Sequence, residues 1–223
     1  MVLAPLAALP LAAALAVVLL LGHWWEMPPL VTALLGIGAV VLGNRAFHLD
    51  GLSDVVDGMA ASFDRERSLE VMKSGTSGPA GVVAVLLVVG LQVAAVASLA
   101  GRADWGATAV LVGAALCVSR AALPLCCAVG LPPARPDGLG RLYTQTVPRP
   151  VVAGVWVAGA VALAFLGIAA GLPWWRGVLA AVVALAAVGV VLARALRRFG
   201  GVTGDVFGAG VEVAFAGLLV VLA

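Results

Sequence analysis

Long apolar runs alternate with short polar breaks along almost the whole chain. The runs cover about 2–21, 28–46, 79–100, 105–130, 151–171, 174–194 and 206–223. A hydrocarbon core about 30 Å thick takes roughly 20 helical residues to cross, so each run reads as a membrane-crossing helix. The second and last runs carry glycine and polar side chains and have the least sharply marked ends. Between the runs lie segments 22–27, 47–78, 101–104, 131–150, 172–173 and 195–205, none large enough for a soluble domain. The pattern predicts an all-α protein, a polytopic integral membrane bundle of about seven transmembrane helices, with 1–223 as one membrane domain. Glycine and alanine are frequent in the runs, which lets neighbouring helices approach closely.

Composition agrees with that pattern. Hydrophobic residues make up 63% of the chain and charged residues 11%, against about 25% charged in a soluble domain, so the lipid bilayer is the expected surrounding. A net charge of +2 gives no footing for a nucleic-acid partner. Cys117, Cys126 and Cys127 share one apolar run and lack the spacing of a disulfide framework or zinc site, so they read as buried, inert thiols. The first run has no positively charged start, since the first basic side chain is Arg45. It therefore reads as a retained span, with a secretory signal as the alternative.

Charge also orients the bundle. If the runs alternate across the membrane, segments 47–78, 131–150 and 195–205 share one face. That face and its flanks hold Arg45, Arg65, Arg67, Lys73, Arg135, Arg141, Arg149, Arg194, Arg197 and Arg198. The other face receives Arg102 and Arg176, while Arg120 lies within the fourth run. This asymmetry predicts that the three longer segments are cytoplasmic. The same face carries Asp50, Asp54, Asp57, Asp64, Glu66, Glu70, Asp137 and Asp205; Glu26 and Asp104 lie opposite, and Glu212 falls in the last run. Charge gathered at one interface, rather than near the midplane, favours an interfacial enzyme over a transporter.

The densest polar stretch is "FHLDGLSDVVDGMAASFDRER", residues 47–67. Asp50, Asp54 and Asp57 stand at i, i+4 and i+7, so on a helix they form one stripe of like charges. A hard dication such as Mg²⁺, which binds carboxylate oxygens together with substrate phosphates, would compensate that repulsion; a solvated acidic face is the alternative. His48 is a candidate base, phosphate donor or metal ligand, or an interfacial hydrogen-bonding residue. Asn44 and Arg45, one turn earlier, are placed to orient phosphate, or to cap and snorkel. Asp64 to Glu70 reads as a solvated amphipathic helix with its own ion pairs.

Other polar segments on that face complete the candidate site. "MKSGTSGPAG" (72–81) supplies Lys73 and glycine-rich backbone ahead of a helix start, an anion-binding arrangement or a plain linker. Arg120, inside an apolar run, requires a polar partner such as a carboxylate or a substrate phosphate. "ARPDGLGRLYTQTVPRP" (134–150) adds Arg135, Asp137 and Arg141, and "RRFGGVTGDVFGAGVE" (197–212) adds Thr203 and Asp205. Arginines and backbone around a diphosphate, with Mg²⁺ on aspartates, suit phosphoryl transfer, which relies on positioning and charge neutralisation.

Five stretches occur in order: "FHLDGLSDVVDG", "LEVMKSGTSGPAGV", "VSRAALPL", "ARPDGLG" and "GGVTGDVFGAGVE". From about residue 36 onward they make the chain resemble the cobalamin synthase, or adenosylcobinamide-GDP ribazoletransferase, family. The resemblance implies a membrane enzyme that uses Mg²⁺ to join adenosylcobinamide-GDP to α-ribazole or its 5′-phosphate and releases GMP. It also implies Asp50, Asp54 and Asp57 as catalytic and metal residues, with His48 assisting the attacking hydroxyl. Asn44, Lys73, Arg120, Arg135, Thr203 and Asp205 are the expected substrate-binding residues; a homo-oligomer is left open. Two departures stand out. Ser74 follows Lys73 where the family usually has Asp, and the first run begins at residue 2 without the family's amphipathic lead segment. A CDP-alcohol phosphotransferase is the alternative enzyme, but residues 50–57 lack its Ala-Arg pair and its aspartate spacing. A small-solute transporter is the alternative of another class, and the chain shows no broken-helix repeats.

Overall fold

The computed structural model describes residues 1–101 and 104–223. Arg102, counted above toward the opposite face, lies outside the described residues. The helices are α1 (Ala4–Ala7), α2 (Leu9–Trp24), α3 (Pro29–Gly43), α4 (Phe47–Ala61), α5 (Arg65–Val71) and α6 (Pro79–Ala100), followed by α7 (Trp105–Ser119), α8 (Ala122–Cys126), α9 (Gly138–Tyr143), α10 (Arg149–Ala169), α11 (Trp174–Phe199) and α12 (Gly204–Leu222). Proline at the first turn of α2, α3, α6 and α10 starts these helices where its missing N–H costs nothing.

The expected helical membrane bundle is borne out, with a different count of crossing helices. Among the described residues, five stretches are long and apolar enough on their own: α6, α7 with α8, α10, α11 and α12. The first two apolar runs form shorter helices. α2 has 16 residues and α3 has 15, against about 20 needed to cross. α3 reaches the length of a span only together with α4, and that pair is bent by 87°. The segment 47–78, read above as a connection, thus contains two helices. The fourth run ends its first helix at Ser119, with Arg120 at the C-cap before α8 begins.

α12 is the centre of the bundle. Most residues from Val206 to Leu222 are buried, with Phe215, Leu218 and Leu219 at the heart of the bundle, and the helix packs against α4, α6, α7, α8 and α11. Lipid is as apolar as these side chains, so close packing, rather than escape from water, holds such helices together. Small residues set how near they come. A Cβ at Gly208 would lie 2.9 Å from the His48 carbonyl oxygen, and one at Gly51 2.7 Å from that of Asp205. These two glycines therefore let α4 lie against the first turns of α12.

Arginines then tie the polar end together. Arg65 donates to the carbonyls of Phe199 and Ala134, both at 2.7 Å, and Arg198 donates to those of Met59 and Ser62. Segments 47–78, 131–150 and 195–205 are thereby joined at one end of the bundle. The expected wet helix is only partly wet: Arg67 and Glu70 form an exposed pair at 3.2 Å, and Asp64 caps α5 by accepting from the Arg67 N–H at 2.8 Å. Arg65 is instead a structural clamp, since a guanidinium can satisfy carbonyls that a helix end leaves open.

Candidate active site

The corner between α3 and α4 is the first element of the site. Arg45 and Ala46 both stand at φ 57°, the left-handed region that is costly for a residue with a Cβ. This pair turns the chain, leaving Asn44 before the corner and His48 just after it.

α4 buries Leu49, Leu52 and Val55 on one side, and the aspartates leave that side by degrees. Asp50 is exposed, Asp54 half-buried and Asp57 buried. Asp57 Oδ2 accepts from the Gly78 N–H at 2.7 Å, and Oδ1 from the Gly81 N–H at 2.8 Å. The anion at the start of α6 is thus Asp57 itself, held by unpaired N–H groups and the helix dipole. This answers the two readings of residues 72–81: their backbone donors bind an anion supplied by the chain. It also parts Asp57 from the other two aspartates, because its carboxylate faces α6. Among the described residues, no three His, Cys, Asp or Glu side chains converge to hold a metal by themselves.

Asp54 feels Asp50, Asp205 and Asp57 as like charges, with Arg135 opposing them; burial first, then that repulsion, pushes its carboxyl up to about 6. α4 is not one of the helices long and apolar enough to cross alone. Such an oxygen-only set fits a hard cation, because Mg²⁺ needs one or two carboxylates and completes its shell with waters and substrate phosphates.

A cavity of about 240 Å³ is lined by Phe47, Lys73, Arg135, Asp137, Thr203 and Asp205 among others. Thr203 caps α12, accepting from the Val206 N–H at 3.4 Å and donating to Asp205 Oδ2 at 3.1 Å. Arg135 donates to the Leu69 carbonyl at 2.7 Å, while its Nε is buried without a partner. Lys73 pairs with Asp137 at 3.4 Å on the exposed rim. Two cations, two carboxylates (Asp137 and Asp205) and the start of α12 thus surround one cavity; cations and helix-start N–H groups are the donors an anion needs.

Asn44, His48 and Arg120 lie on another side of the α4 start and line a second cavity of about 540 Å³. Arg120 is only 5% exposed; it donates to Ser119 Oγ at 2.8 Å and to the Leu116 carbonyl at 3.2 Å. Behind His48 stands Glu212, with Oε1 3.8 Å from Nδ1, and Gln92 Nε2 donates to Glu212 Oε2 at 2.8 Å. Sequence reasoning noted Glu212 only as an acidic residue in the last run and missed Gln92. The signal was available: an ionisable residue inside a span needs a partner, the argument applied to Arg120.

Fold and site together define a multi-pass helical membrane enzyme with its carboxylates, arginines and backbone donors at one end. The family model for cobalamin-5-phosphate synthase matches residues 1–223. Among curated relatives, the adenosylcobinamide-GDP ribazoletransferase of a Nocardioides species is 48% identical over 98% of this chain and 84% of its own length. Proteins of the same name are 38% identical in Frankia casuarinae, over 87% of this chain and 71% of the relative, and 39% identical in Pseudomonas aeruginosa, over 88% and 76%. The chain belongs to the cobalamin-5-phosphate synthase family, as its five motifs imply. No solved structure matches it.

Proposed function

We propose that this chain joins adenosylcobinamide-GDP to α-ribazole, or its 5′-phosphate, and releases GMP. The observation that carries the reading is the cavity lined by Lys73, Arg135, Asp205 and the Thr203-capped start of α12, whose Arg135 and Asp205 both act on the charge of Asp54. The names of the relatives supply the substrates. A ribose hydroxyl oxygen forms a bond to the phosphorus that carries the corrinoid arm, and the bond from that phosphorus to the GMP oxygen breaks. The hydroxyl proton passes to His48, whose Nδ1 faces Glu212. Arg135 and Lys73 hold the diphosphate, and Arg120, which lines the second cavity with Asn44 and His48, adds a buried positive charge there. Asp50 and Asp54, with Asp205 beside them, would hold Mg²⁺, which when bound offsets the negative charge of the diphosphate oxygens. Asp57 serves this site as scaffold, fixing α4 on α6. The basic residues support placing the site at the cytoplasmic face.

The test is an assay of the purified chain in lipid nanodiscs with adenosylcobinamide-GDP and α-ribazole. GMP should appear in step with the joined product, only with acceptor present, and chelation should stop it. GMP release independent of acceptor, or undiminished by chelation, would overturn the proposal.

A further inference from the structure

Two arginines at the polar end of the bundle are tethered by backbone carbonyls to the rim of one groove. Arg149 Nε donates to the Val129 carbonyl at 3.1 Å, and Arg197 Nε donates to the Ala193 carbonyl at 3.3 Å. Val129 and Ala193 both line a space of about 470 Å³ between the start of α10, the end of α11 and residues 125–131. Arg149 lines it too, and Arg197 directly follows the lining residue Leu196. Both arginines are exposed, and among the described residues neither forms an ion pair. We propose that this groove binds an anionic phospholipid, with its phosphate on Arg149 and Arg197 and an acyl chain lying between α10 and α11. The site shares no lining residue with the two cavities beside α4, and it stands whether or not the transferase reading holds.

Polarity and depth choose the ligand. Below the arginines the walls are apolar, with Trp156, Leu185, Leu192 and Leu196 among them, and Arg149 is the one charged side chain in the lining. A free phosphate or a nucleotide could use the rim but not the walls. On α11 the lining runs from Leu185 to Leu196, about 16 Å at the helical rise. That is close to one leaflet of a hydrocarbon core about 30 Å thick. A lipid standing in that leaflet would put its headgroup at the helix ends and its chain against the walls.

Charge chooses the headgroup. A guanidinium carries five donors in a planar fork that matches phosphate. In both arginines only Nε is engaged by the protein, which leaves the outer nitrogens for a ligand. A zwitterionic headgroup brings its own cation to this rim, whereas an anionic one brings net negative charge. Basic pockets between membrane helices hold anionic headgroups on the same grounds.

Arginines at helix ends also snorkel into the interface without any particular ligand, and α11 carries the control for that. Arg194 is as exposed as Arg197, but helical geometry turns it away from the lining stripe of Leu185, Gly189, Leu192 and Leu196.

The test is native mass spectrometry of the purified chain, titrated separately with phosphatidylglycerol and phosphatidylcholine. The wild type should retain one phosphatidylglycerol at least about fivefold more tightly than phosphatidylcholine. Arg149→Gln and Arg197→Gln should each weaken it about fivefold, the worth of one cation beside an anionic headgroup, and Arg194→Gln should leave it unchanged. Gly189→Trp should abolish retention. Gly189 lines the groove and a Cβ there meets nothing within 4 Å, so an indole fills the space and leaves the helices in place. Equal retention of the two lipids, an equal loss in Arg194→Gln, or full retention in Gly189→Trp would each overturn the site. A wild-type dimer that Gly189→Trp splits would overturn it as well, by giving the groove to a second copy of the chain.

Discussion

Asp57 and Gly81 are joined by a 2.8 Å hydrogen bond from the backbone N–H to the carboxylate, and Gly78 makes the matching bond to the other oxygen. One side chain thus fastens α4 to the start of α6 and answers two of that helix's open donors. Asp57→Ala should cost about 2–4 kcal/mol, because a charged acceptor goes and buried donors are left unpaired. Asp57→Asn keeps one acceptor oxygen and should cost less. Thermal unfolding of the purified protein would show the Tm falling equally with and without Mg²⁺. A drop seen only with Mg²⁺ would make Asp57 a metal ligand instead.

Asp50 and Asp54 should behave in the opposite way. Neither fastens one helix to another, and each repels its neighbours. Asp50→Asn and Asp54→Asn are expected to reduce GMP release at least about 100-fold, on the scale of losing one preorganised charge at a transition state, with Tm unchanged or slightly raised. Activity and unfolding measured on the same preparations would separate the two groups of aspartates. Full activity in both variants would remove the metal site from the proposal.

Acidification gives a separate handle on the same carboxylates. Burial and like charge hold Asp54 at about 6, above the ordinary carboxylate range, so near pH 5 the folded chain keeps a proton that the unfolded chain has largely released. The contribution of this group to stability therefore rises as pH falls through 6. Cation binding moves the other way, because the metal must displace that proton. The Mg²⁺ concentration for half-maximal rate should be flat above about pH 7 and climb toward tenfold per pH unit below about 6. Magnesium titrations of GMP release across that range would test it, and a flat profile would exclude Asp54 as a ligand.

Much of this could be read from the chain. Hydropathy marks every helix that crosses alone, and the motif D-G-x-x-D-x-x-D-G marks where the charge gathers. What escaped depends on angles and ends. Residues 47–61 are too polar to read as part of a span, yet they form a helix that Gly51 and Gly208 let press against α12. Spacing puts three aspartates on one stripe, but it does not say that the third faces the start of another helix. Glu212 and Gln92 lie 120 residues apart in the chain, and only the packing of α6 on α12 shows that they meet behind His48.

The bundle's two ends also make a prediction about sidedness. Arg65 and Arg198 bind carbonyls at the end that carries Asp57, Ala134 and Phe199. His23 and Trp105 stack at the other end, with centroids 4.3 Å apart, beside Glu26. Positive side chains resist translocation, so the arginine-rich end should face the cytoplasm. Single cysteines at Glu26 and Asp137, both exposed, can be probed in the full chain because Cys126 and Cys127 are buried; the half-buried Cys117 is replaced by Ala. A membrane-impermeant maleimide applied to intact cells, or to spheroplasts if there is an outer membrane, should label Glu26→Cys directly and Asp137→Cys only after lysis. The reverse pattern would invert the topology and place the diphosphate site outside the cell. There the intracellular nucleotide pool could not supply its GDP-linked donor.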